Sequence, residues 1–597
     1  MSNNDSTIDV TNAKKTINTC FLSEHYVVPP FQREYVWAES EIELLLNDLE
    51  EAYNSNKQKE YFLGTMVVFE KDGKKQLIDG QQRMTTFFLI LCAISKRYED
   101  SKSNASAFQQ LINTPVVDSE GNTENRFTLE LQYEASTDCL ANVWKGTIPD
   151  KTDSLSKSSQ RIYEGFETIQ KKLNSDFSDF DEYKRFASYF INKVVFIQIG
   201  ANNMADALKI FETINQRGKG LNPLDLLKNM LFMQIKEDTF NKLNDKWKQM
   251  IDKLEEMDEK PLRFLRYYLT ATYDITNVSK DKDFQGIIKE DDIYRWLHDN
   301  DNQCMYKADP IRFTDNLLEG LDRYKEYLSP SETTPGRDYL NNITFLMGNS
   351  FRLHLVSLMA AKGWETSLFV GLCRAFETII YCSVVNDVKS NALEKLFSSW
   401  CPKIRKVQTQ EDFDSFYAQN IKPTLANWNT YYYQNFMGIG LGKLQRYKIK
   451  AILARMTKYI DDSRNGGKDS IDIRELIKSK NEIEHIMPQS CGNPQLYGFD
   501  DQTECDMYKN RLGNLTLLEK TLNGTIGNDS YDSKCAGYDN SAFYLTKSLN
   551  GLVSFGNDTA INRTNALLKS WSAWNQDSIN QRQEMLYNLS KYVWDIS

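Results

Sequence analysis

The chain has 597 residues and a mass of 69.3 kDa, more than one hydrophobic core usually spans, so we expect two or three domains. Hydrophobic residues make up 41% of it and aromatic residues 12%, enough for a sizeable core in each domain. The formal net charge of -10 excludes a protein that binds polyanions through overall basicity, although a local basic cleft remains possible because salt screens charge beyond about 8 Å.

Residues 1–14 are polar, lack the basic and apolar regions of a secretory signal, and are expected to be a flexible N-terminus. The long apolar stretch Leu368–Val385 contains Arg374 and Glu377, so we expect no transmembrane helix and no membrane partner. Ten cysteines without paired motifs are typical of reduced thiols. These patterns predict a cytoplasmic protein.

The first chemically informative segment reads as an apolar strand, a polar turn and an apolar helix. Tyr61–Phe69 is the strand-like part, and the turn Asp79–Arg83 comes where the C-terminal end of a strand meets a helix N-terminus. Free backbone N–H groups at such a place attract anions, and Arg83 can add bidentate phosphate contacts. Asp79 suits a metal ion or a water, while Gln81 and Gln82 suit a phosphate or a base edge.

A second segment, Phe211–Lys228, reads as a helix, a glycine-rich turn and a new helix. Asn222 suits the N-cap, with Pro223 at the first helical position. Arg217 and Lys219 in the turn are placed for phosphate. Taken alone, two such charges are more often those of a solvated loop than of a phosphate site.

Together with Val28–Trp37, these segments resemble the N-terminal domain of GmrSD-type, or type IV, restriction endonucleases, whose relatives include SspE-type phosphorothioate sensors and BrxU. The resemblance implies a ParB/sulfiredoxin-like core over residues 15–235 that hydrolyses GTP or another NTP and senses modified DNA. It assigns the nucleotide to Asp79, Gly80, Gln81, Gln82 and Arg83, with Asp79 and Arg83 as catalytic residues. It assigns DNA sensing to Pro29, Phe31, Gln32, Arg33 and Tyr35, and a further signature to Asn215, Arg217, Lys219, Asp225 and Lys228. No Walker motif occurs, which argues against an ordinary P-loop NTPase.

Residues 236–434 are predicted to be a helical middle region, because apolar residues recur at spacings of three and four in Lys242–Leu254, Leu317–Tyr327 and Phe369–Val385. A further helix is predicted over Leu441–Ile460, followed by a loop over Asp461–Ser470. This helix carries basic residues and no acidic ones: Lys443, Arg446, Lys448, Lys450, Arg455 and Lys458. The basic residues suit the DNA backbone, and a solvated helix face is an equally good interpretation.

The C-terminal region contains the residue types that phosphodiester cleavage needs. His485 can act as the general base, because an imidazole titrates near pH 6.5 and is neutral at cellular pH. Glu484 and Asn523 offer the hard oxygen ligands that suit Mg²⁺. Asn514 is the candidate that orients the imidazole. A histidine that merely caps a strand is the alternative, but the combined order of these four residues favours a nuclease.

These residues resemble the HNH, or ββα-metal, endonucleases, in which a strand carries the acid–His pair, a loop the middle Asn and a helix the last Asn. The resemblance implies an HNH domain within residues 435–597 that uses Mg²⁺ or Mn²⁺, with Glu484 and Asn523 as ligands, His485 as base and Asn514 as its support. The fold class predicted for the whole chain is α+β, with several domains.

The sequence therefore predicts an antiphage restriction endonuclease that senses modified double-stranded DNA and cuts or nicks it. Phosphorothioate and modified cytosine both remain open as the modification, and a homo-oligomer is possible. One alternative is a modification-independent nuclease whose N-terminal domain only binds DNA or regulates. A non-catalytic DNA-binding scaffold is the other.

Overall fold

The computed structural model describes residues 10–30, 32–117, 123–133, 138–149, 155–215, 223–235, 237–275, 287–490 and 492–596. The chain divides into two compact units: Met1–Lys248 with Met305–Arg312, and Gln249–Cys304 with Phe313–Ser597. Helices predominate and strands form small sheets, so the predicted α+β class is confirmed.

Most strands belong to a mixed six-stranded sheet in the first unit, with the order β1-β8-β3-β4-β2-β7. A separate hairpin pairs β5 with β6, and another in the second unit pairs β9 with β10. The strands are β1 Val10–Thr16, β2 Tyr26–Val28, β3 Tyr61–Lys71, β4 Lys74–Asp79, β5 Asn113–Val117, β6 Thr123–Phe127, β7 Leu129–Leu131, β8 Val194–Ala201, β9 Asn481–His485 and β10 Leu515–Glu519.

The helices follow in chain order. Up to residue 304 they are α1 Ile17–Ser23, α2 Glu39–Ser55, α3 Gln81–Asp100, α4 Ser106–Ile112, α5 Cys139–Lys145, α6 Lys157–Asp176, α7 Phe180–Lys193, α8 Met204–Asn215, α9 Pro223–Phe232, α10 Glu237–Glu256, α11 Pro261–Thr272, α12 Ile293–Asp299 and α13 Asp301–Cys304. Beyond it they are α14 Pro310–Leu328, α15 Arg337–Met347, α16 His354–Ala360, α17 Thr366–Val385, α18 Ser390–Ile404, α19 Gln410–Phe416, α20 Lys422–Trp428, α21 Tyr432–Met437, α22 Arg446–Arg464, α23 Ile473–Ile477, α24 Gln502–Lys509, α25 Lys520–Ile526, α26 Tyr531–Asp539, α27 Tyr544–Lys547, α28 Ala560–Asn565 and α29 Gln576–Val593.

In the first unit, the predicted order of strand, turn and helix is confirmed. Strand β4 ends at Asp79, and α3 begins two residues later. Gly80 joins them in the left-handed region (φ 92°), which glycine adopts without steric cost. Residues Met84–Ser95 of α3 are buried, because this helix packs into the core formed by the sheet and by helices such as α2 and α6. The turn Asp79–Arg83 is thereby fixed to the rigid centre of the unit.

The helices predicted for the middle region are confirmed as α10, α14 and α17. Helix α17, Thr366–Val385, is long and apolar enough to cross a membrane by length and composition alone. However, 83% of its apolar stretch is buried inside the structure. This burial is expected for the core helix of a folded unit, which can be equally long and apolar.

Some predicted boundaries near the C-terminus are wrong. Helix α22 begins at Arg446 rather than Leu441, and it continues to Arg464 through the first part of the predicted loop. It ends before Gly466 and Gly467, which adopt left-handed backbone conformations. None of the nine cysteines within the described residues forms a disulfide bond.

Candidate active site

The hairpin β9–β10 positions His485 at the end of its first strand. The two strands are antiparallel, with Leu515 opposite His485 and Thr516 opposite Glu484. Successive side chains of a strand point to opposite faces, so His485 and Glu484 cannot share one face while both lie in the strand. Helix α25, which carries Asn523, follows β10 directly. The order strand, strand, helix therefore agrees with the order expected for a ββα unit.

Two amide side chains contact the imidazole of His485. The Gln489 amide nitrogen donates to Nδ1 at 2.9 Å, and Nε2 donates to Oδ1 of Asn510 at 3.2 Å. His485 is only 5% exposed, and this burial lowers the pKa of its imidazole, against the opposing effect of the Asn510 hydrogen bond. Neighbouring cationic groups lower the pKa further: Arg446, Lys534 and Lys509. The ring is therefore neutral at cellular pH.

Within the described residues, the side chain of Asn514 makes no hydrogen bond to His485, contrary to the prediction from sequence. Its Oδ1 accepts the backbone N–H of Met487 at 2.7 Å and the indole N–H of Trp574 at 2.9 Å. Its Nδ2 donates to the carbonyls of Met487 and Lys509. Asn514 thus fastens the segment after His485 to the segment that carries Asn510. Asn514 therefore supports the imidazole indirectly. The side chain that bonds the ring itself is that of Asn510.

Glu484 is buried and already has a counter-ion. Its Oε1 accepts from Nζ of Lys534 at 2.7 Å and from the hydroxyl of Tyr538 at 3.0 Å. The Lys534 ammonium also donates to the backbone carbonyl of His485 at 2.7 Å. Burial raises the pKa of the Glu484 carboxyl, while Lys534 and Tyr538 oppose that rise. Glu484 thus anchors the end of β9 in this arrangement.

The predicted metal ligands Glu484 and Asn523 do not contact each other. Asn523 Nδ2 donates instead to Glu482 at 2.9 Å, and Glu482 shares a strand face with Glu484 because the two lie two positions apart in β9. This face therefore offers two carboxylates and an amide, and these hard oxygen donors fit Mg²⁺ or Mn²⁺ in kind. Within the described residues, no group of three or more His, Cys, Asp or Glu side chains is placed to hold a metal ion. A cation on Glu484 would lie beside the ammonium of Lys534, which binds Oε1 of that carboxylate.

Only part of the basic helix is available to DNA. Arg446 is exposed and acts electrostatically on His485. Lys443 and Lys450 each donate to a backbone carbonyl, of Asn435 and Lys478 respectively. Two members of the predicted patch are wrong: Arg455 pairs with Glu377 at 2.8 Å, and Lys458 is buried among Asp338, Asp462 and Asp469. Such ion pairs between helices leave no free charge for a phosphate.

In the first unit, Asp79 lies at the N-terminus of α3. Its Oδ1 accepts the backbone N–H of Gly80 at 2.8 Å, and burial raises the pKa of its carboxyl, against the opposing effect of Arg83. The first N–H groups of any α-helix lack partners within the helix, so the turn presents donors next to this acid. Asp79 and Gly80 therefore occupy the place that the sequence predicted for them.

The side chains of Arg83 and Gln82 are hydrogen-bonded to backbone groups of the protein. Both terminal nitrogens of Arg83 donate to carbonyls of β3, those of Leu63 at 3.2 Å and Thr65 at 2.7 Å, so the predicted bidentate phosphate contact is not available in this arrangement. The side chain of Gln82 accepts from the Val36 N–H and donates to the Glu34 carbonyl, each at 2.9 Å. Arg83 satisfies carbonyls of β3 where the register of that strand shifts, between Phe62 and Thr65. Gln82 instead holds the backbone of the segment before α2.

The predicted sensing residues differ in accessibility. Gln32 is 8% exposed, its amide oxygen lies 3.5 Å from the Gln81 amide nitrogen, and its own amide nitrogen has no partner within the described residues. Arg33 is exposed. Pro29 is buried, and Tyr35 is a core residue whose hydroxyl bonds Thr86 at 2.8 Å, so the Tyr35 side chain is not exposed for direct contact with DNA in this arrangement.

The remaining predicted signature lies mostly outside the described residues. This holds for Phe31, Arg217, Lys219 and Asn222, and for the side chains of Asn215 and Asp225. Lys228, on α9, places its ammonium 5.7 Å from the ring centre of Phe232.

Several residues at the site were missed in the sequence. Gln489 lies four residues after His485, and Asn510 lies four residues before Asn514, so both were within reach of a motif search. Lys534 gives no local signal, because fifty residues separate it from Glu484. Only the tertiary structure identifies such a partner.

Comparison with known families agrees with both halves of the chain. A family described as GmrSD restriction endonuclease, N-terminal domain, matches residues 13–232, and one described as GmrSD restriction endonucleases, C-terminal domain, matches residues 429–589. Together they cover well over half of the chain. No curated protein matches it.

Proposed function

Because the chain belongs to the GmrSD restriction endonuclease family and carries both of its domains, we propose that it cleaves modified DNA at an HNH-type site centred on His485. Membership implies a nuclease that binds DNA and acts in defence. The observation that carries the finer proposal is the neutral, buried imidazole at the end of β9, in a β–β–α unit with cationic groups around it.

In the proposed reaction, His485 takes a proton from the water that attacks the phosphodiester. A neutral imidazole has the free electron pair this requires, and burial keeps it neutral. Arg446 and Lys509 supply positive charge close to the ring, which suits the phosphate and the negative charge that develops on it.

A divalent cation, Mg²⁺ or Mn²⁺, would bind the oxygen donors Glu482, Glu484 and Asn523. When bound, it would neutralise charge on the scissile phosphate and the leaving oxygen. Lys534 keeps Glu484 paired without it, so the buried carboxylate is never left uncompensated.

For the N-terminal unit we propose a site that binds an NTP and reads the DNA modification around Asp79, Gly80, Gln81 and Gln32. The helix N-terminus suits a phosphate, and the unpartnered amide nitrogen of Gln32 offers a buried donor beside Gln81. Asp79, whose pKa is raised by burial, would position the attacking water. NTP binding or hydrolysis would license the nuclease, since an unregulated nuclease would damage the host chromosome.

A second candidate is a nuclease whose N-terminal unit binds DNA without hydrolysing nucleotide. The commitment of Arg83 and Gln82 to backbone groups favours it, because these side chains would otherwise bind phosphate. The two candidates differ in whether Asp79→Ala changes NTP-dependent cleavage.

The test is cleavage of one duplex prepared unmodified, phosphorothioated and with glucosylated hydroxymethylcytosine, in Mg²⁺ or Mn²⁺, with and without each NTP. We expect the wild-type protein to cut one modified form in an NTP-dependent manner and Asp79→Ala to lose that dependence. Equal cutting of all three duplexes would refute modification sensing. Unchanged NTP dependence in Asp79→Ala would refute the nucleotide site.

A further inference from the structure

The two amides that contact His485 have opposite hydrogen-bonding capacities. The carboxamide oxygen of Asn510 can only accept, so the Nε2 that faces it at 3.2 Å must carry a proton. The carboxamide nitrogen of Gln489 can only donate, so Nδ1, at 2.9 Å, must be unprotonated. Both contacts therefore select the same neutral tautomer, in which Nδ1 is the basic nitrogen.

We propose that Asn510 and Gln489 are the positioning residues of the cleavage site, Asn510 by fixing the Nε2–H tautomer of His485 and Gln489 by occupying the place that the attacking water takes at Nδ1. This inference deepens the proposed function and rests on it. Neither residue was assigned a role by the sequence motif.

The surroundings of Asn510 hold it rigidly. Its backbone carbonyl accepts the N–H of Leu441 at 2.8 Å, and Gly440 and Arg511 form a β-bridge beside it. On its other side, Asn514 binds the carbonyl of Lys509. A half-buried amide whose backbone is held at both flanks is suited to setting a tautomer, because the backbone contacts keep its side chain beside the ring.

Gln489 has different surroundings. It is exposed, and its backbone N–H donates to Oδ1 of Asn528 at 3.0 Å. Because the backbone is held while the side chain reaches solvent, its amide can leave Nδ1 without moving the strand. A water with the same donor capacity can then occupy the vacated position against the ring.

The tautomer can be measured directly by NMR on protein labelled with ¹⁵N-histidine, because the chain has only four histidines. The His485→Ala variant identifies the signal. We expect wild-type protein at pH 8 to show the Nε2–H tautomer. Asn510→Asp, which keeps an acceptor oxygen, should retain it, whereas the similarly sized Asn510→Leu should lose the single-tautomer signature. A wild-type Nδ1–H tautomer, or an unchanged signature in Asn510→Leu, would overturn the proposal.

Cleavage supplies the second readout. Asn510→Leu should lower kcat on the order of 10- to 100-fold with KM little changed, and Asn510→Asp should restore most of it. Gln489→Glu should also lose activity, because a carboxylate can only accept and would require a proton on Nδ1. Exposed Asn465→Ala is the control for unchanged activity. Full activity of Asn510→Leu or Gln489→Glu in a folded protein would refute the roles.

The two readouts separate this inference from the proposed function. If the protein cuts no DNA but the tautomer responds to Asn510 as expected, the positioning is upheld and the nuclease proposal fails. If cleavage depends on His485 but the tautomer ignores Asn510, the nuclease proposal is upheld and the positioning fails.

Discussion

At the scale of residues, the buried pair of Glu484 and Lys534 determines the setting of His485. The Lys534 ammonium binds both the Glu484 carboxylate and the His485 carbonyl, each at 2.7 Å, and its side chain is 1% exposed. A buried charge is tolerated only while it is paired. The pair thus fixes the last residues of β9, whichever groups later act in catalysis.

We predict that Lys534→Met lowers the free energy of unfolding by about 3 kcal/mol or more, because it leaves the Glu484 carboxylate buried without a counter-ion. Chemical denaturation of the full chain measures the loss. Lys520→Met is the matched control, since the exposed Lys520 lies 3.9 Å from Glu482 and should change stability by less than about 1 kcal/mol. Equal effects of the two substitutions would contradict the structural role of the pair.

The buried imidazole of His354 should make the free energy of unfolding decrease in acid, independently of the active site. Its ring is buried and both nitrogens lack partners within the described residues, so burial lowers its pKa to about 3. In the unfolded chain it titrates near pH 6.5, so the unfolded state binds the proton first as pH falls. Stability is therefore full above about pH 6.5 and decreases towards pH 3, with a loss of about 2 kcal/mol at pH 5.

Replacing the imidazole of His354 should remove the part of the acid-induced loss of stability that it causes. We expect His354→Phe, whose ring can keep the stacking on Phe351, to lose less stability than wild-type between pH 7.5 and pH 5. Denaturation at the two pH values measures the difference, with the exposed His298→Phe as control. If His354→Phe and wild-type protein lose the same amount, His354 does not carry the effect.

At the scale of elements, the β-bridge beside the hairpin positions the Asn510 segment. A Cβ on Gly440 would lie 2.2 Å from the Asn510 carbonyl oxygen and 2.9 Å from Cα of Arg511, so the two backbones approach only because residue 440 is glycine. The sequence contains this glycine but gives no sign of the backbone it meets seventy residues later. Contacts of this kind are tertiary and cannot be inferred from a motif.

We predict that Gly440→Ala displaces Asn510 and lowers cleavage on the order of 100-fold, since displacements near 1 Å can have that effect. Gly442→Ala is the matched control, because its added Cβ would meet no atom within 4 Å. Single-turnover cleavage compares the two. Wild-type activity in Gly440→Ala would show that the bridge does not position the site.

Arg83 connects α3 to the irregular part of β3. Its terminal nitrogens hold the carbonyls of Leu63 and Thr65 on either side of Gly64, which has φ of 117°. We expect Arg83→Leu to lower the free energy of unfolding by about 2 to 3 kcal/mol, as for lost hydrogen bonds from a charged donor. The exposed Arg33→Leu serves as control in the same denaturation experiment. If Arg83→Leu were as stable as the wild-type protein, these hydrogen bonds would not contribute to stability, and Arg83 would again be a candidate phosphate ligand.

At the scale of the whole molecule, the sequence predicted the class of fold and the position of the chemistry better than the partners of each residue. Periodicity located the middle helices, and turn residues located the junction of β4 and α3. The motif predicted a neutral imidazole at His485 and a strand that carries it, and the structure has His485 at the end of β9, where burial lowers its pKa. The motif also assigned the orienting contact to Asn514, whose side chain does not make it. That assignment failed because the ring partner depends on how two loops are fastened together, which spacing does not encode.

The same limit applies to charge. The basic helix α22 appeared as one continuous patch in the sequence, because its acidic partners lie elsewhere in the chain. Arg455 and Lys458 face other helices and are neutralised, whereas Arg446 faces His485. Only the folded unit separates charges that stabilise the core from charges that can meet DNA.

The most direct test of the account is cleavage of a modified duplex by wild-type protein, His485→Ala and His298→Ala under identical conditions. His298 is exposed and lies far from His485 in the sequence, so its variant controls for the loss of an imidazole as such. The account predicts that His485→Ala loses cleavage while remaining folded, and that His298→Ala cuts like the wild-type protein. Wild-type cleavage by a folded His485→Ala would contradict the central claim and require a different nuclease centre.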